Sequence, residues 1–315
     1  MEDQKTIGIR DLQEQLSRTF DFSIERRQEP SYYYMRTDFI HFGFEGKRVG
    51  TETYYLTLRC DPASLSDKGL DMYTCGAFGL KIGAAQPVSI VALKAWQYKF
   101  NMFANGEKAE PVFGVPHEVF EGLQDSVGRE LPPDIRYAIY NNFIDFHALN
   151  DSFSRPMFGR GVERLSHVGE RIIHSAAYAA APVSLGSVVR PGSVFHNGEV
   201  SLELKGVSSV DGSVCALIGY DSGESTFEMT MASADGPDKS TVGGSRYKGD
   251  LYIELETGWV SKATLDESVV TESSLVGGKE KEKQFTARNL MLRMISQEDF
   301  RKEPHEICLA SESEK

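Results

Sequence analysis

Hydrophobic and polar positions alternate strictly over residues 251–256. Leu251, Ile253 and Leu255 fall on one side, Tyr252, Glu254 and Glu256 on the other. A period of two marks a strand with one buried face. Glu256-Thr257-Gly258 interrupts it, and a glycine third in the loop suits the left-handed residue of a three-residue turn with a bulge. That loop sets Leu255 opposite Trp259, Ile253 opposite Ser261 and Leu251 opposite Ala263, so both apolar sides coincide; a two-residue turn would put Ile253 against Lys262. The Val- and Thr-rich run 267–274 then reads as the next strand of a meander.

The same period recurs at both ends of the chain. Ile40, Phe42 and Phe44 share one face, and Tyr54, Leu56 and Leu58 share one on a returning strand. "MYTCGAFGLKIG" and "WQYKFNMF" are further strands, the latter with Trp96, Tyr98, Phe100 and Met102 on one side. Late in the chain, "EVSLELKGV", "SVCALIGYD", "STFEMTM" and "KQFTARNLMLRMIS" are separated by Asp-Gly and Ser-Gly turns. Between these blocks the period lengthens. "PHEVFEGLQ" reads as a short helix, "PPDIRYAIYNNFIDFHALNDSF" as a longer one and "GVERLSHVGERIIHSAAYAAA" as a third, while Ile9, Leu12, Leu16 and Phe20 mark an amphipathic opening helix.

The order is therefore an opening helix (1–30), antiparallel strands (31–114), a helical segment (115–190), more strands (191–300) and a charged tail (301–315), read as one composite domain. Regular βαβ alternation is missing, which argues against a doubly wound or barrel α/β fold. The expected class is α+β, a curved antiparallel sheet packed on the central helices. Whether the two strand blocks form one sheet or two is left open. The run 232–245, "ASADGPDKSTVGGS", is long and rich in small residues, a candidate flap.

Composition narrows the function classes. With 315 residues and a formal charge of −12, the chain is a poor match for a nucleic-acid backbone or an anionic membrane surface. No apolar run reaches spanning length. The start, "MEDQKTIG", lacks the basic and apolar pattern of an export signal. A cytoplasmic location is expected, or a periplasmic or extracytoplasmic one if a leader was removed. The four cysteines, Cys60, Cys75, Cys215 and Cys308, form no CxxC pair. Free buried thiols are the simpler reading, a Cys60–Cys75 disulfide the alternative.

Catalytic motifs are weak. Glu163, His167, Glu170 and His174 would form one stripe of a helix, a set that could bind zinc, yet that stripe lies opposite the apolar face and a solvated row of Glu–His pairs explains it. "GYDSGES" places Ser222 one position late for a nucleophile elbow, and "GRGVER" lacks the preceding strand of a dinucleotide loop. No metal or cofactor is expected. The helix over residues 132–153 differs, being apolar nearly all round with Asn142, Asp145 and His147 on it. Polar groups on a buried helix need partners. They form a structural network or, if the protein is an enzyme, Asp145 and His147 are the first catalytic candidates. Tyr140, Asn142, Phe143, Trp96 and Tyr98 are the candidates for lining a ligand cavity.

The opening "DLQEQLSRTFDFS" followed by a long strand, and the late hairpin "GDLYIELETGWVSKATL", resemble the LolA/LolB-like lipoprotein-carrier half-barrel. The resemblance spans about a quarter of the chain. It implies an incomplete antiparallel barrel wrapped on helices around an apolar cavity. This chain is longer than the single-domain carriers. The fold also resembles a pigment-biosynthesis enzyme of the violacein pathway, so it does not choose between carrier and enzyme. The leading expectation is a non-catalytic binder of an apolar or amphipathic small molecule between sheet and helices. A metal-independent isomerase- or lyase-like enzyme and an interaction protein with a packed core are the alternatives. The oligomeric state is left open.

Overall fold

A computed structural model of the chain describes residues 17–23, 26–63, 71–100, 115–125, 127–157, 159–181, 183, 185–233 and 236–307. Most of the expected opening helix, the end of the "WQYKFNMF" strand and Cys308 lie outside these. The strands are β1 (Ser31–Gly43), β2 (Arg48–Asp61), β3 (Asp71–Ile82), β4 (Val88–Ser89), β5 (Gln97–Phe100), β6 (Arg171–Ile173), β7 (Ala180–Ala181), β8 (Val194–His196), β9 (Ser201–Val210), β10 (Ser213–Asp221), β11 (Ser225–Met231), β12 (Lys239–Glu254), β13 (Val260–Leu275) and β14 (Glu282–Met294). Helix α1 is Glu118–Glu121. Helix α2 is Pro133–His147, and it runs on as a wider π turn, Ala148–Ser152.

The strands form one open antiparallel sheet in the order β4-β3-β2-β1-β14-β13-β12-β10-β9-β6, with β5 on β3 and β11 on β12. The two strand blocks are thus one sheet. Their seam is the β1–β14 ladder, from Tyr33 opposite Met294 to Gly43 opposite Gln284. The sheet's inner face carries Tyr33 and Met35 of β1, Tyr54, Leu56 and Leu58 of β2, and Leu290 and Leu292 of β14, all buried. Helix α2 lies on that face. Pro at its start leaves no backbone donor wasted, and Ile135, Ile139, Tyr140, Phe143 and Phe146 bury its side toward the strands.

The β12–β13 hairpin keeps Leu251 opposite Ala263, and Gly258 has φ +71°. A register shift between Tyr252 and Ile253 places Ile253 against Val260 rather than Ser261. Residues 267–274 are not a new strand but the far half of β13. Of the run 232–245, expected as a flap, the part from Lys239 onward belongs to β12 and pairs there with β11.

The third expected helix is corrected most. Residues 162–164 make a single 3-10 turn, and Arg171–Ile173 extend along β9. Carboxylates that would have lined a helix instead hold loop amides. Glu163 accepts from the amides of Met157, Gly159 and Arg160, and Glu170 from those of Ser166 and His167. Gly169, at φ +88°, turns the chain into β6. His174 is buried, its Nε2 donating to the Ser152 carbonyl at 3.1 Å while Nδ1 accepts from the Ala176 amide. His167 and Glu170 still meet, Nδ1 to Oε1 at 3.3 Å, but the four do not form one site, and among the described residues no group of three His, Cys, Asp or Glu is placed to hold a metal ion. No helix among the described residues is long and apolar enough to cross a membrane.

Cys60 and Cys75 are buried free thiols. They stand in adjacent strands but out of step, Cys60 facing Tyr73 and Cys75 facing Leu58.

Candidate functional site

Helix α2 ends in a closed polar knot. His147 Nδ1 lies 2.8 Å from Asp151 Oδ2, and its Nε2 lies 2.8 Å from the Tyr98 hydroxyl. Asp151 also accepts from Arg26 Nη1 at 2.9 Å and from the Tyr73 hydroxyl at 3.0 Å. Phe100 stacks flat on the imidazole at 3.7 Å between centroids, and Tyr73 meets it edge-on. Burial raises the Asp151 carboxyl, but His147, Arg26 and Arg155 outweigh that and hold it well below the usual carboxylate range. Burial also lowers His147, against the pull of Asp151. The consistent state is an ionised Asp151 beside a neutral imidazole. Nδ1–H then donates to the carboxylate and Nε2 accepts from Tyr98.

Asp145 belongs elsewhere. Two residues earlier on a helix is about 200° round the axis, and Asp145 there pairs with Arg288 Nη1 of β14. Arg288 Nε in turn lies 2.6 Å from Glu267 Oε2 of β13. Burial pushes Asp145 up to about 6, with Arg288 opposing and Glu267 adding to the rise. The structure therefore does not bring Asp145 and His147 into one site. Asn142 is spent on β1, its Oδ1 accepting from the Thr37 hydroxyl at 2.6 Å and its Nδ2 donating to the Ala138 carbonyl.

The aromatic candidates do meet. Trp96 stacks on Tyr98 at 4.5 Å, and both meet Phe143 edge-on. Phe120 of α1 joins Phe143 to Tyr140. Phe78 of β3 closes the other side of Phe143. Among the described residues these rings pack on one another between sheet and helix, in the place where a cavity is expected.

An apolar concavity of about 880 Å³ lies instead at the far end of the sheet. Phe42, Phe285, Val270 and Gly244 stand side by side across β1, β14, β13 and β12. Each of Phe42, Phe285 and Val270 is three residues from an inward side chain, Phe39, Arg288 and Glu267, so this row faces away from α2. Phe44, exposed at 79%, and Val242 extend it, while Gly244 leaves a notch where a side chain would stand. Glu272 and Lys283 are the charged residues of the lining. Sequence reading missed this site. Its members come from four segments that only the register aligns. Asp151 was within reach, since it stands four residues after His147 on a helical pattern.

No family model and no curated protein matches the chain. Among solved structures it is similar to a crystal structure of a DUF1329 family protein from Desulfovibrio piger, at 10% identity over 86% of this chain and 90% of that one. The TM-score of that likeness, 0.16, is too low for it to inform fold or function.

Proposed function

We propose that the chain is a non-catalytic binder of an apolar or amphipathic small molecule, held on the distal apolar concavity rather than between sheet and helix. One observation carries this reading: an apolar recess of about 880 Å³ walled by Phe42, Phe44, Val242, Val270 and Phe285. Ligand sites are concave, mostly apolar and roughly 300–1,000 Å³ in size. An exposed strand face of an ordinary sheet is polar, so a row of phenylalanine and valine there calls for a covering partner.

The test is a fluorescence titration of the full chain with the neutral probe N-phenyl-1-naphthylamine. Saturable binding is expected. It should weaken at least tenfold in Val270→Asp, a substitution at a position 61% exposed, with the circular dichroism spectrum unchanged. Probe binding that does not saturate, or that survives both Val270→Asp and Phe285→Asp, would remove the site.

A further inference from the structure

We infer that the ligand of the distal concavity is a single-chain anionic amphiphile. Its acidic headgroup sits at the Lys283–Arg48 side, and its chain lies across β14, β13 and β12. This rests on the binding reading above and adds to it the ligand's charge, shape and direction.

Charge at the rim is unevenly matched. Glu272 and Lys283 face each other across β13 and β14. Lys281 already holds Glu272, with Nζ 2.5 Å from one carboxylate oxygen. Lys283 stands farther off, 3.8 Å from the other oxygen, with its ammonium 5.6 Å over the Phe44 ring. Arg48 stands opposite Phe42 on the neighbouring strand, at the end of the same row. Its guanidinium reaches the Thr51 hydroxyl at 3.4 Å and meets no carboxylate among the described residues. The lining itself holds one cation, Lys283, and one carboxylate, Glu272, which Lys281 also holds, and Arg48 stands beside the lining opposite Phe42. An anionic group placed there gains two incompletely matched cations. At this end a cationic group would have to displace Lys281 from Glu272 to gain that carboxylate.

Shape and direction follow from the row. Adjacent strands are about 4.8 Å apart, so the run from Phe42 to Gly244 is about 14 Å long, an elongated track that fits an alkyl chain better than a compact ring system. At its β12 end the Gly244 notch is open, since a Cβ there would meet nothing nearer than the Ser225 carbonyl oxygen at 3.4 Å. Beyond the notch, Val242 is paired with Glu228 of β11. A carboxylate headgroup is repelled from that end and drawn to the Lys283 end, so the ligand has one orientation.

The experiment displaces the neutral probe from the full chain with three C12 amphiphiles below their micellar concentrations: dodecanoate, dodecanol and dodecyltrimethylammonium. Dodecanoate should bind at least tenfold more tightly than dodecanol, and the cation more weakly than both. Raising the salt concentration should narrow the spread, because exposed charges are screened. Lys283→Glu should abolish the dodecanoate preference, and Arg48→Glu should reduce it; both residues are exposed, and each variant's retained probe binding shows that it folds. Equal binding of dodecanoate and dodecanol, or a preference untouched in both variants, would overturn the anionic assignment while leaving the binding site standing. Failure of all three amphiphiles, with no probe bound to begin with, would instead overturn the binding reading itself.

Discussion

His147 Nδ1 lies 2.8 Å from Asp151 Oδ2, and neither side chain reaches solvent. Around them Tyr98, Tyr73 and Arg26 take up the remaining polar atoms, and Phe100 covers the ring. The arrangement has the partners of an acid–base dyad, and among the described residues neither member reaches a solvent-facing surface. Its work is to fix the end of α2 and its π turn against β3 and β5. His147→Ala removes a stacked ring and leaves a buried carboxylate one partner short. Losing that packing together with one hydrogen bond to a buried carboxylate costs about 2–4 kcal/mol. Urea unfolding should show a loss of that size; a loss below about 1 kcal/mol would mean that the network is dispensable to the fold.

Two buried histidines set a pH dependence. Burial lowers His147, and it lowers His174 to about 4. A histidine whose folded pKa lies below its unfolded value of about 6.5 binds fewer protons when folded. Its contribution is complete above that value and is lost as pH falls through the folded pKa. The stability difference between the wild type and a His174→Asn variant should therefore be largest near pH 7 and shrink toward pH 4. A difference that stays constant over that range would show that His174 titrates normally.

Asp145 acts with the opposite sign. Its folded pKa, pushed up to about 6 chiefly by burial, exceeds the unfolded value of about 3.9. The contribution is present below the unfolded value and is lost as pH rises through about 6. Asp145→Asn keeps a hydrogen-bond acceptor for Arg288 and cannot ionise. Relative to the wild type it should gain on the order of 2–3 kcal/mol between pH 4 and pH 7. Denaturation midpoints of the two proteins at matched pH measure this directly, and parallel curves would contradict it.

Much of the sheet was legible because its signals are local. Alternation around Leu251 and a glycine at 258 suffice to put Leu251 opposite Ala263. The helix 133–147 was legible for the same reason, its apolar positions being dense enough to demand burial. The region of Glu163 and Glu170 was not. Carboxylates spaced three or four residues apart look alike whether they pair along a helix or hold loop amides, and β9 offered Arg171–Ile173 a ladder that outweighed helix propensity. The interior was hard to read because an aromatic side chain reads the same in a core as in a pocket wall. Trp96, Tyr98 and Phe143 pack on one another in the described structure. The distal recess needs the registers of three ladders at once, which no local pattern supplies.

Gly249 and Gly244 sit five residues apart on β12 and predict opposite tolerance. Gly249 faces inward, where the Tyr220 hydroxyl donates to the Thr264 carbonyl at 2.6 Å. A Cβ at 249 would strike that carbonyl oxygen and stand 2.7 Å from the Tyr220 hydroxyl. The backbone oxygen cannot move without opening the β12–β13 ladder, so Gly249→Ala should cost about 2–3 kcal/mol, at the upper end of overpacking penalties. At Gly244 the nearest atom to a new Cβ is 3.4 Å away, and alanine there restores ordinary strand propensity. Gly244→Ala should leave stability within about 0.5 kcal/mol of the wild type. It should still weaken the neutral probe by partly filling the notch. Equal stability of the two variants in urea unfolding would contradict the inward packing of Gly249. Unchanged probe binding in Gly244→Ala would show that the ligand does not reach as far as β12.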